Sequence, residues 1–346
     1  MQVLVAMSGG VDSSVAAALL LEQGHEVVGV TMKLWGGASD TGCCSVADVD
    51  DARRVAQQLG IDHVVFNFTD DFDRHVVEPY VHAHTVGLTP NPCIECNRHL
   101  KFDRLFQRAD QLGFDAVATG HHCRIVEVDG ARFIARGADV AKDQSYVVHM
   151  LDRAALARTM FPVGTMTKTE VRSHAARLGL RTAAKSDSQD VCFITSDGGR
   201  EAFLGTRIPL RSGRLIDLDG HDVGSVDAIE MVTIGQRRGL DLGGSHDRRY
   251  AVAVDPDAGV VTVGSLADLQ VMHSDVSDIV WVSSGVDESS SAAVLVQTSA
   301  HGSVAPAVVR GDRLEWVEPH RRIAPGQSIV FYDPSNERVL GSAVAR

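Results

Sequence analysis

The stretch Ser8-Gly9-Gly10-Val11-Asp12-Ser13-Ser14 lies near the start of the chain, between an apolar run and an Ala/Leu-rich run. Its adjacent glycines let the backbone turn sharply and approach an anion with no Cβ in the way. The N–H groups at the start of the following helix point at such an anion, and the helix dipole reinforces them. The serines add hydroxyl groups. This stretch therefore predicts a phosphate-binding loop after the first strand of an α/β fold.

The loop differs from two common phosphate-binding loops. It has no Gly-Lys-Ser/Thr, so it is not a Walker A loop, and it has no G-x-G-x-x-G dinucleotide pattern. A glycine turn followed by a Ser or Asp helix cap is the simpler alternative. Asp12 cannot contact a phosphate directly unless Mg²⁺ lies between them, which makes it a candidate metal-binding or water-positioning residue.

The first part of the chain alternates apolar strands with amphipathic helices, which predicts a Rossmann-like α/β domain with a parallel sheet. Strands are expected at Val3–Met7, Val27–Leu34, Val64–Phe68 and Ala116–Thr119. Helices are expected at Ser13–Gln23, Ser45–Leu59, Phe72–Val86, Arg98–Leu112 and Lys168–Leu178.

After about residue 200, short Val- and Ile-rich runs between Gly, Asp and Ser turns replace the helical pattern, as at Arg249–Val254, Val260–Gly264 and Ser328–Tyr332. These runs predict two small, mainly-β domains, with Ser283–Ser291 as a loop between strands. The expected domains are 1–198, 199–272 and 273–346.

Composition limits the function. The chain has 346 residues and a formal net charge of -12, which argues against non-specific coating of nucleic acid. Recognition of one folded RNA would need local basic patches, and the candidates are Arg98–Arg108, Arg207–Arg214, Arg237-Arg238 and Arg321-Arg322. No apolar run approaches the ~20 residues that span a bilayer, and the start has no signal-peptide pattern. A cytoplasmic protein that is not bound to a membrane is expected.

Six cysteines are too few for a disulfide scaffold in a chain of this length. Cys93 and Cys96 form a C-x-x-C in a proline-stiffened loop, Asn91–Asn97, and Asn97 and Arg98 are expected to open the helix that follows. A thiol at such a helix start is more acidic and more nucleophilic. Cys192 stands between a polar run and an apolar one. A zinc site is disfavoured because the remaining ligands are missing nearby, and Cys44 and Cys123 are expected to be buried.

The loop resembles the PP-loop of the ATP pyrophosphatases, which cleave ATP between the α and β phosphates and transfer AMP to a carbonyl oxygen. Seven stretches extend the resemblance along nearly the whole chain: Ala6–Ser14, Gly42–Ser45, Asn91–Asn97, Thr119–His121, Lys142–Tyr146, Asp187–Ile194 and Thr233–Leu240. Together they resemble the family of bacterial tRNA-specific 2-thiouridylases.

The resemblance implies 2-thiolation of a wobble uridine in tRNA, in which ATP adenylates the C2 oxygen and cysteine-borne sulfur replaces it. It implies Cys192 as the persulfide carrier, Cys96 as the second catalytic cysteine, and a disulfide between them. It implies ATP contacts at Ala6, Met7, Ser8, Gly9, Gly10, Val11, Asp12, Ser13, Met32 and Gly120. It implies tRNA contacts at Asn91, Pro92, Cys93, His121, Lys142, Asp143, Gln144 and Gln327. The partners would be tRNA and a persulfide donor, either a cysteine desulfurase or a relay protein.

Two departures from the family pattern leave the mechanism open. Cys93 stands where some relatives carry Asp, and Ser299 stands where related sequences often carry a tRNA-contacting Arg. Cys93, Cys96 and Cys192 could hold a [4Fe–4S] cluster with one iron open to sulfide, or the persulfide route could use two of them. Other functions also stay open: a PP-loop ligase acting on a small metabolite, which would not need paired cysteines, and a nucleotide-binding or redox-responsive module that releases no pyrophosphate.

Overall fold

The computed structural model describes residues 1–34, 45–187, 191–194, 199–242, 248–282 and 291–346. Cys43, Cys44 and most of the expected loop Ser283–Ser291 lie outside these ranges, as do three residues of the Asp187–Ile194 match. In the described part of the chain, no helix is long and apolar enough to cross a membrane.

The helices alternate with strands in the first half of the chain, as expected. The α-helices are α1 Val11–Glu22, α2 Val46–Leu59, α3 Thr69–Phe72, α4 Glu78–Thr85, α5 Pro92–Glu95, α6 Leu105–Leu112, α7 Arg153–Arg158, α8 Lys168–Arg177 and α9 Gly199–Gly205. π-Helical turns join α3 to α4 at Asp73–Val77 and α5 to α6 at Cys96–Arg104. Short 3₁₀ turns occupy Val140–Lys142, Ser145–Val148, Ile229–Met231 and Ala267–Leu269.

Strands occur along the whole chain and dominate its second half. They are β1 Gln2–Ala6, β2 Glu26–Lys33, β3 Asp62–Asn67, β4 Ala116–Ala118, β5 Cys123–Val128, β6 Ala131–Arg136, β7 Thr159–Met160, β8 Gly213–Ile216, β9 Asp222–Val226, β10 Asp241–Leu242, β11 Tyr250–Asp255, β12 Val260–Gly264, β13 Gln270–Trp281, β14 Ala292–Gln297, β15 Ala305–Arg310, β16 Arg313–Arg321, β17 Ser328–Tyr332 and β18 Val339–Ala345.

The chain divides into two compact units. The first contains Met1–Val77, Pro92–Asp197 and Glu337–Val339, and the second contains Glu78–Asn91, Gly198–Asn336 and Leu340–Arg346. The first unit is built on a parallel sheet with strand order β3-β2-β1-β4-β7, which confirms the predicted α/β domain. Chain order reverses at β1, which has β2 on one side and β4 on the other. An open parallel sheet binds ligands at such a reversal, outside the carboxyl ends of its strands.

Helix α1 is buried along most of its length. Its three consecutive alanines, Ala16 to Ala18, are all buried, and their small side chains let the helix pack closely. It packs with parts of β1, α2 and α8 in one apolar core. The helix begins at Val11, two residues before the predicted start, so the loop is correspondingly shorter.

Helix caps fix the starts of α2 and α8. Ser45 accepts a hydrogen bond from the Asp48 N–H, and α2 ends at Gly60 in the left-handed conformation, as the sequence predicts. Thr167 caps α8 and forms a capping box with Glu170, which the sequence analysis missed. The backbone N–H of Lys168 donates to Asp139, 2.9 Å away. The first residue of α8 is therefore held in place from two directions.

The prediction of a loop at Asn91–Asn97 is wrong, because the segment is helical from Pro92 onward. The helical stretch begins at Pro92 and continues without a break to Leu112. Proline suits the first turn of a helix because its missing N–H would have no intrahelical partner there. Pro92 therefore marks a helix start, and Cys96 lies one turn inside the helix, buried, while the exposed Cys93 occupies the first turn.

The second unit contains two β structures, which confirms the predicted pair of small mainly-β domains. Strands β8 to β12 form one sheet in the order β10-β9-β8-β12-β11. Strands β13 to β18 form a closed barrel in the order β13-β16-β15-β14-β17-β18. Trp316 and Phe331 fill the barrel interior, and the Trp316 indole N–H donates to Ser274. Closure pairs every barrel strand on both sides and leaves no open edge.

Removing the Thr167 hydroxyl tests whether the cap holds α8 in place. We expect Thr167→Ala to lower the free energy of unfolding by about 1 kcal/mol, because the Glu170 N–H loses its acceptor. Thr167→Ser keeps that acceptor and should match the unsubstituted protein. Urea unfolding followed by circular dichroism makes the measurement, and equal stability of the Ala and Ser variants would contradict the role of the cap.

Candidate functional site

The loops after β1 and β4 meet at the reversal of strand order. Gly120, just after β4, lies so close to the start of α1 that a Cβ there would be 2.6 Å from the Ser13 nitrogen. Only glycine permits this approach without a backbone shift. The expected ATP contact at Gly120 thus lies beside the predicted phosphate loop.

The phosphate loop is shaped by its glycines and by its own serines. Gly9 has a φ of +73°, and a Cβ there would clash with the Asp48 backbone. The hydroxyls of Ser13 and Ser14 donate to the Gly10 carbonyl at 3.2 and 2.8 Å. These hydroxyls therefore stabilise the turn, and the N–H groups of the first turn of α1 are the groups that lack intrahelical acceptors.

Lys185 fastens the loop to α2. Its ammonium donates to the Gly9 carbonyl at 3.0 Å and to Asp48 and Asp51 at 2.6 and 2.7 Å. Burial disfavours the charged ammonium, but the hydrogen bonds to the two carboxylates outweigh it and raise the Lys185 pKa. The cation bridges two separate elements that the sequence pattern does not connect.

Asp12 lies in the first turn of α1 between two donors. Lys168 donates to both of its carboxylate oxygens at 2.7 Å, and His122 Nε2 is 3.1 Å from one of them. Burial alone would raise the Asp12 pKa, but the hydrogen bonds from His122 and Lys168 lower it. The carboxylate therefore stays charged at neutral pH and has a fixed orientation.

Asp187 continues this charge cluster. It pairs with Lys142 at 2.8 Å, with Lys168 at 2.9 Å and with Arg172 at 2.7 Å. Burial opposes ionisation, but hydrogen bonds from Lys142 and Lys168 hold the Asp187 pKa far below its usual range. Through Lys168, this carboxylate is joined to Asp12 in the phosphate loop.

Four members of the site were not identified from the sequence: His122, Lys168, Lys185 and Asp187. One signal for Lys168 is available in hindsight. It is the first residue of α8, where the positive end of the helix dipole disfavours a cation. A lysine kept at such a position indicates a partner outside its own helix.

The predicted catalytic cysteines differ in their surroundings. Cys96 is buried, Cys192 is partly buried and Cys93 is exposed. Phe193, next to Cys192, is buried with its ring edge-on to Phe72, 5.6 Å between centroids. This packing anchors the chain directly after Cys192. Cys123 is fully buried, as predicted, and burial raises the pKa of its thiol.

The expected tRNA-contact residues between 121 and 144 are partly engaged inside the protein. His121 is buried against Phe102 and 2.7 Å from the Thr119 hydroxyl, and burial lowers its pKa well below the usual value. Asp143 pairs with Arg136 at 2.7 Å and accepts from the Gly137 N–H. Lys142 is more exposed and pairs with Asp187.

Gln144 connects this segment to the phosphate loop. Its side-chain oxygen accepts from the His122 N–H, and its own N–H donates to the His122 carbonyl. His122 also contacts Asp12 in the phosphate loop. A single residue, His122, therefore connects Gln144 to the Asp12 carboxylate.

The remaining expected contacts lie elsewhere. Met32 is buried on β2, beside Thr31, whose hydroxyl donates to the Met7 carbonyl at 2.8 Å. Pro92 is buried, Asn91 is partly buried, and Gln327 lies in a turn where its N–H donates to Ala324.

The glycines of the site allow close backbone contacts. A Cβ at Gly9 would lie 2.3 Å from the Asp48 carbonyl oxygen, and a Cβ at Gly120 would lie 2.6 Å from the Ser13 nitrogen, so both positions require glycine. In the described part of the chain, the group of metal-ligand side chains within 4.8 Å of one another is Asp217, Asp219 and His221, which is mostly exposed and includes none of the expected site residues.

Family models match three consecutive parts of the chain. A tRNA methyl transferase HUP domain matches residues 1–196, a tRNA methyl transferase PRC-barrel domain matches 201–265, and an aminomethyltransferase β-barrel domain matches 272–345.

The curated relatives agree along the whole chain. A tRNA-specific 2-thiouridylase from Chloroflexus aurantiacus is 46% identical over 351 residues, covering 98% of this chain and 96% of the relative. One from Mycolicibacterium gilvum is also 46% identical, over 360 residues, covering 100% of this chain and 99% of the relative. The chain belongs to the tRNA-specific 2-thiouridylase family.

Solved structures of other proteins resemble this 2-thiouridylase family member only distantly. A U34-tRNA thiolase from Methanococcus maripaludis with its [4Fe–4S] cluster is 20% identical, with a TM-score of 0.38, covering 56% of this chain and 61% of that one. A 4-thiouridine synthetase bound to RNA and ATP is 18% identical, with a TM-score of 0.39, covering 56% and 44%.

Gly120→Ala tests the close approach of the two loops. We expect the added Cβ to push the start of α1 away, because overpacking costs about 1–3 kcal/mol of stability, and thereby to weaken ATP binding. Isothermal titration calorimetry measures the affinity. Gly205→Ala is the control, because its Cβ meets only the Leu210 side chain. Unchanged ATP affinity in Gly120→Ala would show that this approach does not shape the nucleotide site.

Proposed function

We propose that this chain is a tRNA-uridine 2-sulfurtransferase that uses ATP to thiolate the wobble uridine. The observation that carries the proposal is the full-length similarity to tRNA-specific 2-thiouridylases, combined with a glycine-shaped loop at the strand-order reversal. The position of this loop suits the phosphates of ATP, because its helix N-terminus points at the same edge of the sheet.

The first step is adenylation. The C2 oxygen of the uracil attacks the α-phosphorus of ATP, the bond from that phosphorus to the bridging oxygen breaks, and pyrophosphate leaves with the electron pair. The uracil N3 proton is released. Residues Ala6–Ser13 and Gly120 hold the phosphates, and Met32 contacts the adenine through its backbone. Asp12 is the residue that would hold Mg²⁺, which neutralises phosphate charge when bound.

The second step is sulfur transfer. The terminal sulfur of a Cys192 persulfide attacks C2, and AMP leaves. The Cys96 thiolate then attacks the Cys192 sulfur, so that the outer sulfur stays on the base, N3 takes up a proton again, and a Cys96–Cys192 disulfide forms. A cellular dithiol reduces this disulfide, and a cysteine desulfurase or relay protein restores the persulfide. This route needs only two cysteines, which leaves Cys93 beside the target base.

The tRNA is held by both halves of the chain. Asn91, Pro92, Cys93, His121, Lys142, Asp143 and Gln144 are the proposed contacts around the target base, and Gln327 is the proposed contact from the barrel. Asp143 and the buried His121 would act by shaping the segment that carries Lys142. We place the domain boundaries at 1–198, 199–272 and 273–346, and the enzyme in the cytoplasm, where ATP and tRNA are both present.

Paired cysteine variants separate adenylation from sulfur transfer. We expect Cys96→Ser and Cys192→Ser to abolish 2-thiouridine formation while tRNA-dependent release of pyrophosphate from ATP continues, because neither thiol takes part in adenylation. Cys123→Ser, which changes a buried cysteine outside this route, is the control. Nucleoside mass spectrometry and a pyrophosphate assay make the two measurements.

The same experiment decides against the alternatives. Release of ADP instead of pyrophosphate would contradict the adenylation step, and full activity of both serine variants would favour a ligase acting on a small metabolite.

Anaerobic purification tests the role of Cys93. A brown protein with stoichiometric iron, which Cys93→Ser loses together with activity, would replace the persulfide route with a [4Fe–4S] route. An iron-free enzyme that thiolates tRNA from a persulfide donor supports the proposal.

Arg237 and Arg238 test the contribution of the second unit to RNA binding. Both are exposed in a turn that Gln236 stiffens through hydrogen bonds with Thr233 and Arg238. We expect their joint replacement by Ala to raise the KM for tRNA and to reduce the salt slope of binding by about one to two units, at roughly 0.9 per phosphate contact. Arg53 and Arg54, an exposed pair on α2, give a charge-matched control. Equal changes in KM and salt slope after replacement of either arginine pair would contradict a specific role of Arg237 and Arg238 in RNA binding.

A further inference from the structure

Lys168 is held beside the phosphate loop by two carboxylates. Its side chain is only 12% exposed, and its ammonium lies 2.7 Å from both oxygens of Asp12 and 2.9 Å from Asp187. An ammonium this far from water is costly unless it is paired, so its position is tightly determined by these partners. Asp12 belongs to the first turn of α1, which places the Lys168 charge at the predicted phosphate site.

The position of Lys168 does not serve its own helix. As the first residue of α8, it stands where the helix dipole disfavours a positive charge, and the capping box of Thr167 and Glu170 already fixes the helix start. The Lys168 backbone N–H is also held by Asp139. The helix start is therefore complete without the ammonium, and the side chain is directed to the loop.

Three cations gather beside the phosphate loop. The ion pairs around Asp12 and Asp187 join two carboxylates to three cations, Lys142, Lys168 and Arg172, and a third carboxylate, Asp139, accepts from the Lys168 N–H. These cations lie near the positive end of the α1 dipole, which favours an anion there. Of the three cations, Lys168 is the one that contacts a residue of the phosphate loop.

We propose that Lys168 is a phosphate-binding residue of the adenylation site, which Asp12 and Asp187 position for the β- and γ-phosphates of ATP. This proposal rests on the proposed function and adds a residue to it. During adenylation the bond from the α-phosphorus to the bridging oxygen breaks, and negative charge grows on the departing pyrophosphate. The Lys168 ammonium stabilises that charge without changing its own protonation, as a preorganised cation does.

Four variants test the proposal. We expect Lys168→Met to raise the KM for ATP roughly tenfold or more, and to slow tRNA-dependent pyrophosphate release, because a charge-assisted contact is lost. The KM for tRNA should stay unchanged. Lys168→Arg should recover part of the ATP affinity. Asp187→Asn removes a partner of Lys168 and keeps the ammonium on Asp12, so its KM for ATP should change less. Arg177→Met is the control: it removes a cation from the exposed last turn of the same helix.

A binding measurement makes the result independent of thiolation. Inorganic pyrophosphate should raise the melting temperature of the unsubstituted protein and of Arg177→Met, and should raise that of Lys168→Met less or not at all. The proposal would be overturned if Lys168→Met had the same pyrophosphate-induced shift in melting temperature and the same KM for ATP as the unsubstituted protein. Identical defects in Lys168→Met and Asp187→Asn would also overturn it, because Lys168 would then be a structural bridge. The unsubstituted protein could bind added pyrophosphate through Lys168 and yet form no pyrophosphate from ATP in the presence of tRNA. That result would contradict the proposed function and would support the phosphate site.

Discussion

The close approach of two backbones, at Gly120 and at the start of α1, is the constraint on which the site depends. It brings the end of β4 against the turn after β1, so that His122 reaches Asp12. The parallel sheet fixes both strand ends at one edge, and a side chain at Gly120 would separate them. The shape of the predicted phosphate loop is therefore specified jointly by two segments more than a hundred residues apart.

The chain has an excess of acidic residues, and carboxylates hold two partly buried cations beside the phosphate loop. Lys168 and Lys185 neutralise carboxylates on either side of the loop, and each connects elements that are distant in sequence. Because these cations are partly buried, salt screens their interactions less than those of surface pairs. The exposed Arg237 and Arg238, by contrast, are surrounded by solvent, so salt strongly screens their electrostatic interactions.

The fold class and the glycine turn between β1 and α1 could be predicted because their signals are local. The strand before Gly9, the two glycines and the Ser45 cap are each read within a few residues. The start of the helix at Pro92 was misread because proline stiffens loops and begins helices equally well. Lys168, Lys185 and His122 were missed for a different reason: each acts through a partner on another element. No periodicity within a segment reveals such pairs, and only the folded arrangement of the strands brings them together.

Neither of the two compact units is a continuous piece of chain. The first takes Glu337–Val339 from near the C-terminus, where the Glu337 carbonyl accepts from the Arg136 N–H, Arg338 bridges to Ala135, and the Glu337 carboxylate pairs with Arg124. These contacts cover the outer side of β6. The hairpin of β5 and β6 therefore keeps unpaired backbone groups while the ribosome is still making the second unit. Folding of the first unit can begin early in synthesis, but it is completed only after residues 337–339 have emerged.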